Sequence, residues 1–134
     1  MLVVDDNPFN CDVLTQMLVD ETEALCSRAL SAEEALICIA KREQSGAPEF
    51  DIILMDVQMP LINGFECTRK IRERGMVMPI VGVTAGNLEM LQDKSKASGM
   101  NALIGKPVRC HQLVAITCAL LQAEALPPVW DDNQ

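Results

Sequence analysis

The stretch DIILMDVQMPLINGFE, residues 51–66, holds four consecutive apolar residues, Ile52 to Met55, between two carboxylates. An unbroken apolar run of this length, without polar alternation, reads as a strand over Asp51–Met55 that is covered on both faces. It ends at Asp56. Pro60 and Gly64 mark a loop, and a helix follows from about Phe65 to Arg74. A strand buried on both sides needs helices above and below it, which is the condition of a parallel α/β sheet.

Working outward, the same strand-then-helix unit recurs. Toward the N-terminus, Met1–Val4 is an apolar run ending in Asp5-Asp6, and Asn7-Pro8 looks like an N-cap followed by proline at the first helical position. Phe9, Val13, Leu14, Met17 and Leu18 follow at helical spacing and are expected on the buried side. A weaker strand falls within Ala24–Leu30. Ser31-x-x-Glu34 is a capping box opening a helix to about Arg42, with Ala35, Leu36 and Ile39 inward, and Ser45-Gly46-Ala47-Pro48 is a loop. Toward the C-terminus, strand Ile80–Val83 leads into Thr84-Ala85-Gly86, helix Leu88–Ser98 ends at Gly99, and strand Ala102–Ile104 leads into Gly105-Lys106-Pro107. A last helix from about Arg109 to Ala123 carries Leu113, Ile116, Leu120 and Leu121 as its stripe, and Pro127-Pro128 stops it. Five such units with right-handed crossovers give a doubly wound, five-stranded parallel sheet of order 2-1-3-4-5, flavodoxin-like. One domain over residues 1–126 with a tail over 127–134 uses the whole length.

Composition narrows the function. Apolar residues at 49% and charged ones at 22% exclude a disordered chain. A net charge of −8 opposes direct binding to nucleic acid and to anionic membrane surfaces. No apolar run approaches the ~18 residues of a membrane span, and Asp5-Asp6 interrupts the first run, against a signal peptide. The six cysteines form no CxxC pair and the only histidine, His111, stands alone, so reduced thiols used as small apolar residues are expected rather than disulfides or a zinc site. The eight methionines read as core filling, and His111 as exposed. These features point to a reducing, cytoplasmic setting.

Ligand sites in such sheets form beyond the carboxyl ends of the strands, at the switch in strand order. Strand one ends in Asp5-Asp6, strand three in Asp56, strand four in Thr84 and strand five in Lys106, each expected at an exposed rim. Two carboxylates ~4 Å apart repel by about 4 kcal/mol at a surface-like dielectric. Lys106 and a hard divalent cation offset that, and magnesium suits carboxylates, waters and a phosphate oxygen. Without metal, at least one carboxylate should have a raised pKa. Asp56, alone at the end of the central strand, is the nucleophile candidate, able to form an acyl phosphate. Lys106 would meet one phosphoryl oxygen, and the Thr84 hydroxyl with a nearby backbone N–H another.

At this point the residues resemble a known family. LVVDDN (residues 2–7), ILMDVQMP (53–60), Asn63-Gly64, VTA (83–85) and GKP (105–107), in this order and at these intervals, are similar to the receiver domain of two-component response regulators from Met1 to about Gln122. DDNPFN and MDVQMP look most like the receivers of hybrid histidine kinases. The resemblance implies that Asp56 is the phosphoacceptor. It further implies that Asp6 binds magnesium directly, Asp5 through water, and Gln58 through its backbone carbonyl, with Asp56 completing the metal set. Gln58, Thr84, Ala85 and Lys106 would surround the phosphoryl group, with Thr84 as the switch hydroxyl, Lys106 as its charge partner, and a cis bond before Pro107. The partners implied are a histidine kinase or a histidine phosphotransfer protein, met mainly on the two C-terminal helices. The segment would act as a monomer or a phosphorylation-dependent dimer, free in the cytoplasm or within a membrane-anchored hybrid kinase. Its only chemistry would be its own phosphorylation and dephosphorylation.

Two departures from the family pattern bear on switching. Leu103 stands where the family often has an aromatic residue, and the chain contains no tyrosine. Either Leu103 packs in one place in both states, or backbone shifts carry the signal. Asn63 stands where Asp is more usual, with little effect expected. Three alternatives compete. A haloacid-dehalogenase-type phosphatase needs an acid at Gln58, and an FMN module needs a phosphate-cradling loop where Asp5-Asp6-Asn7-Pro8 stands. A pseudo-receiver that binds proteins without being phosphorylated needs a hidden defect in an otherwise complete site.

Overall fold

The computed structural model describes residues 1–22 and 25–122. The chain runs β1 (Leu2–Val4), α1 (Pro8–Thr22), β2 (Ser27–Ala29), α2 (Ala32–Ser45), β3 (Ile53–Asp56), α3 (Gly64–Glu73), β4 (Ile80–Thr84), α4 (Leu88–Ser98), β5 (Ala102–Gly105) and α5 (Cys110–Gln122). All strand pairs are parallel and the order is β2-β1-β3-β4-β5, as the sequence implies. The expected end of the last helix at Ala123, the Pro127-Pro128 stop, the boundary at residue 126 and the tail lie outside the described residues, as does Ala24 at the edge of the second strand. Among the described residues no helix is long and apolar enough to cross a membrane.

The double burial of the central strand is visible in its alternation. Ile53 and Met55 join Leu2, Val4 and Ile80 in a core closed by α2 and α3. Ile52 and Leu54 join Val3, Val81 and Val83 in a second core closed by α1 and α5. Five of the methionines, Met55, Met59, Met76, Met78 and Met100, are buried, whereas Met90 projects from α4. All six cysteines are free, and His111 is exposed. Burial pushes the thiols of Cys11 and Cys67 up to about 11 and about 12, which leaves both protonated and inert near neutrality.

The caps explain where the helices start. The Ser31 hydroxyl accepts from the Glu34 N–H (3.1 Å), and the Glu34 carboxylate accepts from the Leu30 N–H (2.5 Å), closing the capping box one residue earlier than its usual form. The side-chain oxygens of Asn63 and Asn87 cap α3 and α4 by accepting from the N–H groups of Glu66 and Met90. Gly46 and Gly99 end α2 and α4 in left-handed conformations. Arg72 staples the end of α3 to the α4–β5 turn, donating to the carbonyls of Gly99 (3.0 Å) and Met76 (3.1 Å) and to Asn101 Oδ1 (2.8 Å).

Two helix faces depart from the expected stripes. In α1 the inward residues are Cys11, Leu14 and Leu18, while Phe9 is 72% exposed and Val13 also faces outward. In α5 the buried line is Leu113, Thr117 and Leu120, with Leu121 exposed. Both helices are apolar around most of their circumference, so spacing alone does not select one face. The packing partner does: the buried line is i, i+3, i+7 in α1 and i, i+4, i+7 in α5.

Candidate phosphoacceptor and metal site

The carboxyl ends of β1, β3, β4 and β5 bring the expected residues together. Parallel register does this: Val4 pairs with Met55, Asp56 with Val83, and Thr84 with Gly105. Backbone bonds continue past the strands, from Val57 N–H to Val83 O (2.9 Å) and from Lys106 N–H to Thr84 O (2.7 Å). The Lys106–Pro107 bond is cis, as expected.

The rim is more enclosed than the sequence suggests. Asp5, Asp56 and Thr84 are buried, at 1%, 2% and 0% exposure, and of the three carboxylates only Asp6 is open to solvent. The expectation of carboxylates exposed at an edge is therefore corrected. Asn7, from the turn into α1, and Gln58, from the β3–α3 loop, lie against Asp5 and Asp56 through their backbone N–H groups. Burial and the charge of Asp5 together push the Asp56 carboxyl up to about 6, with the Lys106 ammonium and the Gln58 N–H opposing them. A raised carboxylate in the absence of metal is the behaviour expected of this cluster.

Lys106 Nζ lies 3.3 Å from Asp56 Oδ1 and 3.5 Å from Asp5 Oδ2. Asp5 Oδ1 accepts from the Asn7 N–H at 2.9 Å, but Asp5 Oδ2 is buried without a hydrogen-bond donor. One oxygen each from Asp5, Asp6 and Asp56 lies within 4.8 Å of the others. Opposed ligands of an octahedral magnesium ion stand about 4 Å apart, so an all-oxygen set of this spread, with a buried oxygen that accepts no hydrogen bond, fits a hard divalent cation. One lysine cannot neutralise three carboxylates.

Thr84 Oγ1 accepts from the Gly86 N–H (2.9 Å), and Ala85 donates its N–H to Gln58 Oε1 (3.3 Å). The Gln58 N–H donates to Asp56 Oδ1 (3.3 Å). Leu103 is half-buried against the core on the α2–α3 face. Three contributions were not legible beforehand. The Asn7 backbone orients Asp5. The Gln58 side chain bridges two loops. Gly64 sits so close to the end of β3 that a Cβ there would fall 2.4 Å from the Asp56 carbonyl oxygen. Only the last had a signal, the Asn-Gly pair before a helix.

Residues 1–117 match the response regulator receiver domain family. The sensor histidine kinase RcsC of Salmonella typhi is 36% identical over 116 residues, covering 84% of this chain and 11% of that protein. The chain thus spans about a tenth of the length of such relatives. The two-component response regulator ARR22 of Arabidopsis thaliana is 32% identical, covering 92% of this chain and 84% of that protein. A chain of the CheX–CheY–BeF3–Mg2+ complex from Borrelia burgdorferi superposes with a TM-score of 0.81 at 25% identity, over 91% of this chain and 88% of that one. With the strand order, the strand-end residues and these similarities in agreement, the chain belongs to the response regulator receiver domain family.

Proposed function

We propose that Asp56 accepts a phosphoryl group from a phosphohistidine on a histidine kinase or phosphotransfer protein, and that the domain relays the event by changing the surface around β4–α4 and β5–α5. The observation that carries this reading is the placement of Asp56: buried at the end of the central strand, 3.3 Å from Lys106 Nζ, and grouped with the oxygens of Asp5 and Asp6. An Asp56 oxygen attacks phosphorus, the bond to the donor nitrogen breaks, and the nitrogen leaves with the electron pair. Lys106 meets the charge on the transferred group, and the Thr84 hydroxyl and Ala85 N–H supply donors for its other oxygens. Asp5, Asp6, Asp56 and the Gln58 carbonyl would hold a magnesium ion, which supplies neutralisation of the anionic nucleophile and phosphoryl group. The raised carboxyl of Asp56 is in keeping with a need for such help: burial and Asp5 make its charged form costlier than in an open chain.

A partner has a place to dock beside this site. Phe9 and Val13 of α1, with Lys106, Pro107 and Val108, line an open groove of about 250 Å³ that reaches Asp5. Phe9, 72% exposed beside this groove, would serve as an apolar anchor for such a partner. Intact mass after incubation with magnesium and acetyl phosphate tests the chemistry. One phosphoryl group should add to the wild type and none to Asp56→Asn. Equal labelling of that variant, or no magnesium-dependent addition to the wild type, refutes it.

A further inference from the structure

Ala85 and Gly86 present the first two N–H groups after β4, and neither is vacant. Gly86 donates to Thr84 Oγ1 at 2.9 Å and Ala85 donates to the side-chain oxygen of Gln58 at 3.3 Å. Gln58 reaches across because Val57 is bonded to Val83, which holds the start of the β3–α3 loop against the end of β4. Room for its amide comes from Gly86, where a Cβ would lie 3.3 Å from Gln58 Nε2 and 3.2 Å from Thr84 Oγ1. Gln58 also donates its backbone N–H to Asp56 Oδ1. One side chain therefore spans the two loops that face the nucleophile, with its acceptor on the N–H that the phosphoryl group would need.

We propose that the Gln58 side chain is an internal stand-in for a phosphoryl oxygen. It clasps the β4–α4 loop in the unphosphorylated protein and is displaced when the phosphoryl group takes the Ala85 N–H. This rests on Asp56 being the phosphoacceptor. A single N–H serves one acceptor well, so loading exchanges one bond for another rather than adding a bond. Gln58 is thus a positioning residue that holds the resting loop and opposes loading by the strength of one neutral hydrogen bond.

The test uses Gln58→Ala, which removes the side chain, and Gln58→Met, which keeps its length but not its amide oxygen. Two quantities are read: exchange of the Ala85 amide by NMR without metal, and the beryllofluoride concentration that half-saturates the protein in excess magnesium. Both variants should exchange the Ala85 amide about threefold to tenfold faster and half-saturate at about threefold to tenfold lower beryllofluoride, the span of one neutral hydrogen bond. Unchanged Ala85 exchange, or a half-saturation that is unchanged or raised, overturns the clasp. If the wild type binds beryllofluoride normally and the variants match it, the clasp alone fails. If the wild type binds none, the phosphoacceptor reading fails with it.

Discussion

Asp56 carries the strongest electrostatic signature among the site residues, and its sign makes a prediction. Its folded carboxyl titrates near 6 against 3.8 in an open chain, because burial and Asp5 outweigh Lys106. The folded state therefore holds a proton that the unfolded state releases between about pH 4 and 6. That contribution to stability is present at low pH and is lost as pH rises through this window. A tenfold change in a protonation equilibrium is about 1.4 kcal/mol, so at neutrality the metal-free protein carries a cost on the order of 2–3 kcal/mol. Asp56→Asn should then be more stable than wild type by about 1–3 kcal/mol at pH 7 without metal, and nearly equal to it at pH 4, in urea unfolding. A variant equally or less stable at pH 7 would show that Lys106 already compensates the charge. The residue types of the site were legible in the sequence because each follows an apolar strand. Their burial was not, since the cover over Asp5 and Asp56 comes from loops whose path depends on tertiary contacts.

At the scale of elements, the loop from Asp56 to α3 is set by one close approach. Gly64 donates its N–H to Val57 O at 2.9 Å, and a Cβ on it would meet Asp56 O at 2.4 Å and Val57 Cα at 2.9 Å, all backbone. Gly64→Ala should push the strand end out of place, cost about 2 kcal/mol or more, and lower phosphorylation by acetyl phosphate together with stability. A variant with wild-type stability and labelling would mean that the loop yields freely. Helix α1 shows the opposite situation. Its sequence suggested Phe9 and Val13 as core, yet they face outward, because a helix apolar on most sides leaves the choice of face to the sheet beneath it. In α3, charged residues alternate with Phe65, Cys67, Thr68 and Ile71, and the buried side follows from the pattern. The outward Phe9 has its own test. Phe9→Ala should change stability by less than about 0.5 kcal/mol and leave acetyl phosphate labelling intact, while slowing transfer from a phosphorylated histidine partner by about tenfold. Equal slowing with both donors would place Phe9 in the chemistry instead of at the docking face.

Over the whole molecule, the strand order places the two acidic strand ends, β1 and β3, side by side and adds Thr84 and Lys106 from successive outer strands. On the proposed reading, a charge set down on Asp56 would reach the last two strand-helix units through one hydroxyl and one ammonium. Leu103 stands where the family often has an aromatic residue. Leu103 pairs with Gly82 across β4–β5, and a Cβ on Gly82 would come within 2.8 Å of Leu103 Cδ1 and 2.6 Å of Met100 Sδ. The missing glycine side chain is space that Leu103 and Met100 already fill, which favours a leucine that stays in place and a signal carried by the backbone through Lys106. Leu103→Ala should then cost about 1–2 kcal/mol, less than a fully buried leucine because the site is half open. It should still show the wild-type change in amide exchange on adding magnesium and beryllofluoride, over Ala85–Leu91 and over Lys106–Cys110. Lys106→Ala should keep metal binding and the first of those changes but lose the second, because its ammonium is the direct side-chain contact from the acceptor to the end of β5. If Leu103→Ala loses both changes while remaining folded, the leucine itself moves on loading, and the packed Gly82–Leu103–Met100 contact is what phosphorylation has to break.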